Sequence, residues 1–142
     1  MTNAQTIASL NRLLFIVYRS FPLYLADAAP WVHAGGDKAA AVLANIVADQ
    51  KALAQRIGEM ILDLNGRLGG GSFPMEFTDT NDLSLEYQVT QLIRYQRQDI
   101  AKIERIVPTL EHHPAAHALA LEVLGSQRAH LDSLEELVKA AA

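Results

Sequence analysis

An all-α fold is predicted, a bundle of four helices. Three observations carry it: apolar residues recur at steps of three and four through most of the chain, glycine and proline clusters break that pattern in three places, and the middle break is long. Steps of three and four place residues on one face of a helix. The chain has 142 residues, which is one domain by length and enough for a sizeable core. We therefore treat residues 1–142 as a single domain.

The first helix is expected from about Asn3 to Ala28, with Ile7, Leu10, Leu14, Val17, Phe21 and Tyr24 along one face. Pro22 lies within it, lacks an N–H and clashes with the preceding turn, so a kink is expected there. Ala29 to Gly36 reads as a loop, within which Trp31, flanked by Pro30 and Val32, is expected to plug the end of the bundle. Asp37 is a good N-cap for the second helix, expected from Lys38 to Leu64. Its face carries Leu43, Ile46, Leu53, Ile57 and Ile61 with Gln50 set among them, and Asn65-Gly66 ends it. Gly58 weakens it and suits a close approach by another segment.

Leu68 to Asn81 is expected to be non-helical, pinned to the bundle by Phe73, Met75 and Phe77. Its Gly69-Gly70-Gly71 lacks the flanking lysine and preceding strand of a phosphate loop. Thr80, Asn81 and Asp82 are candidate caps of the third helix, whose face holds Leu85, Gln88, Val89, Leu92, Gln96, Asp99, Ile100, Ile103 and Val107. Pro108 ends that helix, Thr109 to His113 forms a turn, and Pro114 opens the fourth helix. The fourth runs to about Lys139 with Leu119, Val123, Gln127, His130, Leu131, Leu134 and Val138 on its face.

Connection lengths set the topology. The first and last links are short, so each joins an antiparallel hairpin. The middle link, about fifteen residues, spans roughly 50 Å when extended. A 25-residue helix is roughly 38 Å long. The link therefore reaches the far end of the bundle, and the two hairpins are joined by one long crossover between helices 2 and 3.

Composition excludes several functions. There is no cysteine, hence no thiol nucleophile, thiolate metal site or disulfide. Net charge is −4 with Lys and Arg scattered singly, which gives no nucleic-acid footprint. The apolar run Leu13 to Tyr18 is too short to span a membrane and is flanked by Arg12 and Arg19. A cytoplasmic protein with no membrane or nucleic-acid partner is expected. Ser20, Ser84 and Ser126 stand in no nucleophile motif, so no catalytic residue is assigned. His112, His113 and His117 cluster at the last turn, and the four-residue spacing of His113 and His117 is compatible with zinc on a helix, although Pro114 intervenes.

Two tetrads stand out, Gln50-Lys51-Ala52-Leu53 and Gln127-Arg128-Ala129-His130. They resemble the Glu-x-x-His segments of the ferritin-like superfamily, the rubrerythrin and bacterioferritin-like group. There, two helices each supply a Glu and two each supply Glu-x-x-His to a di-iron pair. The resemblance places Val17 at the first Glu, Gln50 and Leu53 at the second pair, Gln88 at the third Glu, and Gln127 and His130 at the last pair. Only His130 keeps its ligand type. Three positions carry Gln, which has nearly the shape of Glu without its charge. The resemblance thus implies a ferritin-like bundle with a degenerate di-iron site and no bound cofactor. Its buried glutamines are expected to satisfy one another across the centre, with Tyr18, Tyr24, Asp49, Gln96 or Asp99 as further partners. Members of that group commonly associate, so a homodimer through the aromatic-rich first helix is expected. Two other readings stay open: an iron or other divalent-metal protein or oxidoreductase remodelled around His130, and a small-molecule-binding bundle.

Overall fold

The computed structural model describes residues 3–28, 37–69, 71–80 and 85–141. They form five α-helices: α1 (Asn3–Tyr18), α2 (Phe21–Ala28), α3 (Asp37–Asp63), α4 (Leu85–Ile106) and α5 (Pro114–Ala141), with no strand among the described residues. Short 3-10 helices at Met75–Thr80 and Val107–Leu110 complete the elements. Trp31 with its neighbours, and the caps sought at Asn81 and Asp82, lie outside the described residues, as does the side chain of Thr80.

Five helices replace the expected four because the first is broken, two residues earlier than expected. The α-helix stops at Tyr18 and restarts at Phe21. Pro22 sits in the first turn of α2, where a missing N–H costs nothing. The break falls at Arg19-Ser20 because Pro22 leaves the carbonyl of Tyr18 without its donor, and Ser20 starts the next helix. Its carbonyl accepts from the Tyr24 N–H at 3.0 Å, and its hydroxyl lies 3.5 Å from the Leu23 N–H.

At the end of α3, Asn65 takes a left-handed conformation with φ 63°. The Gly66 N–H donates to the Ile61 carbonyl and the Asn65 N–H to the Leu62 carbonyl, each at 2.9 Å. This pairing satisfies two carbonyls that the helix end would leave open. Gly66 is also required by packing: a Cβ there would lie 2.8 Å from Ile7 of α1.

Specific contacts fix the helix directions. Ile7 lies at Gly66 and Ser20 at Gln50, so α1 and α3 run antiparallel. Arg56 pairs with Glu122, while Asp49 meets His130, so α3 and α5 run antiparallel. Arg97 pairs with Glu135 and Glu104 with Arg128, which makes α4 and α5 antiparallel. Thr109 reaches Ser9, and Tyr95 packs on Phe21. The chain of α4 therefore descends along the rising α1–α2. The neighbour relations α1–α3–α5–α4–α1 close a ring.

The crossover climbs the outside of α1. The Gly69 N–H donates to Asn11 Oδ1 at 2.6 Å, Gly71 lies against Phe15, Phe73 meets Tyr24, and Phe77 ends against Phe21 and Tyr95. Gly71 has φ +126°, and a Cβ there would meet the Phe15 ring at 3.1 Å, so glycine is needed for both backbone and space. Two of the three expected anchors hold. Phe77 is buried and Phe73 half-buried, but Met75 is 86% exposed, because the 3-10 turn beginning there points it outward. Val138 is likewise exposed, near the end of α5. At Gly58 the approaching group is the Leu68 side chain rather than a backbone, 3.5 Å from where a Cβ would stand.

The apolar interior is in two parts. One core joins Leu10, Leu13 and Val17 to Leu53, Ile57, Ile103, Leu110 and Val123. The other joins Phe21 and Leu25 to Ile46, Phe77, Leu92, Tyr95 and Leu134. On each helical run a buried polar residue stands at the boundary between the fully buried residues of the two cores.

A neutral polar layer as candidate functional site

That boundary is built from Ser20, Gln50, Gln96 and Gln127, each at most 3% exposed. Each occupies a core position of its own helix run, so helical spacing puts a polar head where its neighbours put methyl groups. Ser20 lies between Val17 and Phe21, Gln50 between Ile46 and Leu53, Gln96 between Tyr95 and Ile100, and Gln127 between Leu124 and Leu134.

A buried amide left unpaired costs about 1–3 kcal/mol, so the heads must meet. Ser20 Oγ donates to Gln50 Oε1 at 2.6 Å, and Gln50 Nε2 donates to Gln127 Oε1 at 3.2 Å. Gln96 Nε2 donates to the same Gln127 Oε1 and to the Gln127 backbone carbonyl, the latter at 3.0 Å. Gln127 Oε1 is thus the common acceptor of two amides from two different helices. Gln96 Oε1 is buried without a protein partner.

His130 sits one turn beyond Gln127, 7% exposed. Its Nε2 is 3.1 Å from Asp49 Oδ2 and 3.2 Å from Ser126 Oγ. Burial lowers its pKa below 6.5, and Asp49 opposes that shift. Asp49 itself is largely exposed, so the pair lies at the outer edge of the layer.

Of the positions compared with metal ligands, two, Gln50 and Gln127, are joined by a hydrogen bond. Val17 and Leu53 are buried in the apolar core below, where each packs as an ordinary hydrophobic residue. Gln88 is buried, but the α4 residue that reaches Gln127 is Gln96, two turns further along. Tyr18 faces solvent, Tyr24 joins the aromatic cluster, and neither enters the layer. Gln96 was among the partners expected. Ser20 was not, although a serine just before Phe-Pro has the form of a helix cap and signals that its hydroxyl lies at a helix junction.

The histidines of the last turn are engaged separately. His112 Nε2 is 2.7 Å from Thr6 Oγ1 of α1. His113 Nδ1 accepts the Ala116 N–H at 3.1 Å, which caps α5 and commits the ring nitrogen nearest the chain. Among the described residues no three His, Cys, Asp or Glu side chains converge as a metal-binding group.

Asp99 lies a turn below the layer on α4, beside a small cavity of about 50 Å³ shared with Ser20 and Arg19. Asp99 and Lys102, one turn apart, form no ion pair among the described residues. Burial pushes the Asp99 carboxyl up to about 7, Lys102 opposing from a distance. A carboxyl raised in the folded state binds its proton more readily there than in the unfolded chain, so this group lowers stability as pH rises from about 4 to 7. His130, with its folded pKa lowered, acts in the opposite direction and reduces stability as pH falls through 6.5. Asp99→Asn isolates the first effect. It is expected to raise stability at pH 8 by about 1–2 kcal/mol, with little change at pH 4, in urea unfolding at both pH values. An equal effect at the two values would show that Asp99 titrates normally.

Comparisons of the chain with protein-family models, curated proteins and solved structures give no match.

Proposed function

We propose that the chain is a ferritin-like four-helix bundle whose centre is held by neutral amides in place of a di-iron pair, serving as a structural or protein-interaction module. The single observation that carries this reading is the hydrogen-bonded chain Ser20–Gln50–Gln127–Gln96 across the bundle. Support for the arrangement comes from the ring of antiparallel neighbours and from a crossover that ascends along α1. Two hairpins joined in this way are the ferritin-like topology.

The residues at the centre do not fit a di-iron pair. Carboxylates bridge and neutralise such irons. Here the corresponding heads are uncharged, already hydrogen-bonded to one another, and accompanied by Val17 and Leu53 in apolar packing. No reaction step is derived from them. A layer of this kind sets which residues of four helices lie level, since sliding one helix by a turn would strand several buried amides at once.

Elemental analysis of the purified chain tests the reading, alongside the Gln50→Glu/Leu53→His/Gln127→Glu variant. We expect no stoichiometric transition metal in the natural chain. A matched pair of iron or manganese ions per chain would overturn the proposal in favour of a metalloprotein remodelled around His130. Metal uptake by the triple variant alone would support a lost site.

A further inference from the structure

A groove of about 470 Å³ opens on the seam between α1 and α4. Phe15 and Ile16 of α1 and Ile106 of α4 make its apolar lining, and Arg12, Lys102 and Arg105 its charged lining. Phe15 is 42% exposed, whereas Ile16 and Ile106 are buried. One ring thus forms a wall and two aliphatic side chains a floor. No carboxylate lines this groove among the described residues, since Asp99 and Glu76 line the small cavity above it instead.

This seam differs in charge from its neighbours. Between α3 and α5 and between α4 and α5, Arg56, Arg97 and Arg128 each face a glutamate. Arg12, Lys102 and Arg105 form no ion pair among the described residues. Arg12 gives one N–H to Ser9 Oγ at 3.1 Å, which leaves its other guanidinium donors for a ligand. Three cations without an acid among them focus positive potential on one groove of a chain whose net charge is −4. Ser9 meets Thr109 at one end of the seam and Phe21 meets Tyr95 at the other. Along this antiparallel pair Arg12 therefore comes about level with Arg105, and Lys102 sits about one turn above.

We propose that this groove binds a single-chain amphipathic carboxylate, with its head between Arg12 and Arg105 and its chain along Ile16 and Phe15. A concave apolar surface with a few convergent polar groups is the ordinary form of a small-ligand site, and the volume falls in the ordinary range. Guanidinium groups take a carboxylate through paired N–H bonds. Two features select this occupant. The lining runs from Asn11 to Ile16 on α1 and from Lys102 to Ile106 on α4, roughly 8 Å along the axes, whereas a docked helix needs anchors across two turns, roughly 11 Å. The groove also lies beside the last turn of α4, whose carbonyls carry partial negative charge, which favours a monoanion over a phosphate dianion. None of these residues belongs to the polar layer, so the ligand is additional to the reading of the bundle centre and independent of it.

Isothermal titration calorimetry of the full chain with decanoate tests this, with acetate, decyltrimethylammonium and decyl phosphate as comparison ligands. One decanoate per chain is expected. Acetate, which lacks the chain, and decyltrimethylammonium, which reverses the charge, are each expected to bind at least about tenfold more weakly. Arg12→Gln/Arg105→Gln is expected to weaken decanoate at least about tenfold, whereas Lys51→Gln, which removes a cation from the far face of α3, leaves it within about threefold. All three residues are exposed, so each variant should fold with unchanged helical circular dichroism. Failure of decanoate to bind at millimolar concentration would overturn the proposal, as would equal binding of decyltrimethylammonium. Decanoate binding indifferent to the double variant would overturn the assignment of this groove. Equal weakening by Lys51→Gln would show attraction to cations in general and overturn it too. Tighter binding of decyl phosphate than of decanoate would overturn the carboxylate head.

Discussion

Gln127→Leu is expected to destabilise the chain by about 1–4 kcal/mol, although leucine matches the apolar positions on either side. The loss comes from the groups left behind. Gln50 Nε2 and Gln96 Nε2 both end on Gln127 Oε1, and neither has access to water. Removing the shared acceptor strands the Gln50 amide, at about 1–3 kcal/mol, and leaves the Gln96 amide only the Gln127 backbone carbonyl. The paired expectation is that Ser20→Ala/Gln50→Leu/Gln96→Leu/Gln127→Leu recovers most of that stability, since the side-chain amides that would be stranded are removed together. Urea unfolding of both variants measures the difference. A single variant within about 0.5 kcal/mol of the natural chain would mean that the amides find water and are not held by one another.

Phe21→Ala is expected to cost about 3–5 kcal/mol. Phe21 is fully buried, and its ring centroid lies 4.9 Å from Phe77 and 4.8 Å from Tyr95. It therefore joins three parts of the chain: α2, the end of the crossover and α4. Deleting it leaves a cavity in the smaller of the two cores and loosens the 3-10 turn at Met75–Thr80 against the bundle. Faster limited proteolysis within residues 67–76 should accompany the lower unfolding midpoint. Phe15→Ala is the control. Phe15 is 42% exposed on the same helical run, so a loss of at most about 1 kcal/mol is expected. Equal losses at the two positions would show that the aromatic cluster does not anchor the crossover.

The two positions also show what could be read from sequence. Periodicity placed Phe21 in the core, and the apolar side chain of Phe77 in a long non-helical link marked it as an anchor against the bundle. Periodicity also placed Gln50 and Gln127 on core faces. It could not choose between Gln88 and Gln96, which are eight residues apart on one face of α4 and differ by roughly 12 Å along the axis. Which of them meets Gln127 depends on how far α4 slides relative to α5, and that register is set by packing between helices. Resemblance to the Glu-x-x-His segments favoured Gln88, whereas the packed structure brings Gln96 to the acceptor.

By itself the sequence determined the helical class, the two short hairpin links, the long crossover and the presence of glutamines within apolar faces. All of these follow from local spacing, from glycine and proline, and from chain reach. The tertiary structure alone decided that Ser20 completes the polar layer, that the layer separates two apolar cores, and that Tyr18, Leu62 and Leu68 stay open on one face. The physical reason is common to all three. Helical spacing fixes the direction of a side chain around its own axis, but its level along that axis relative to other helices is fixed only when buried groups find their partners.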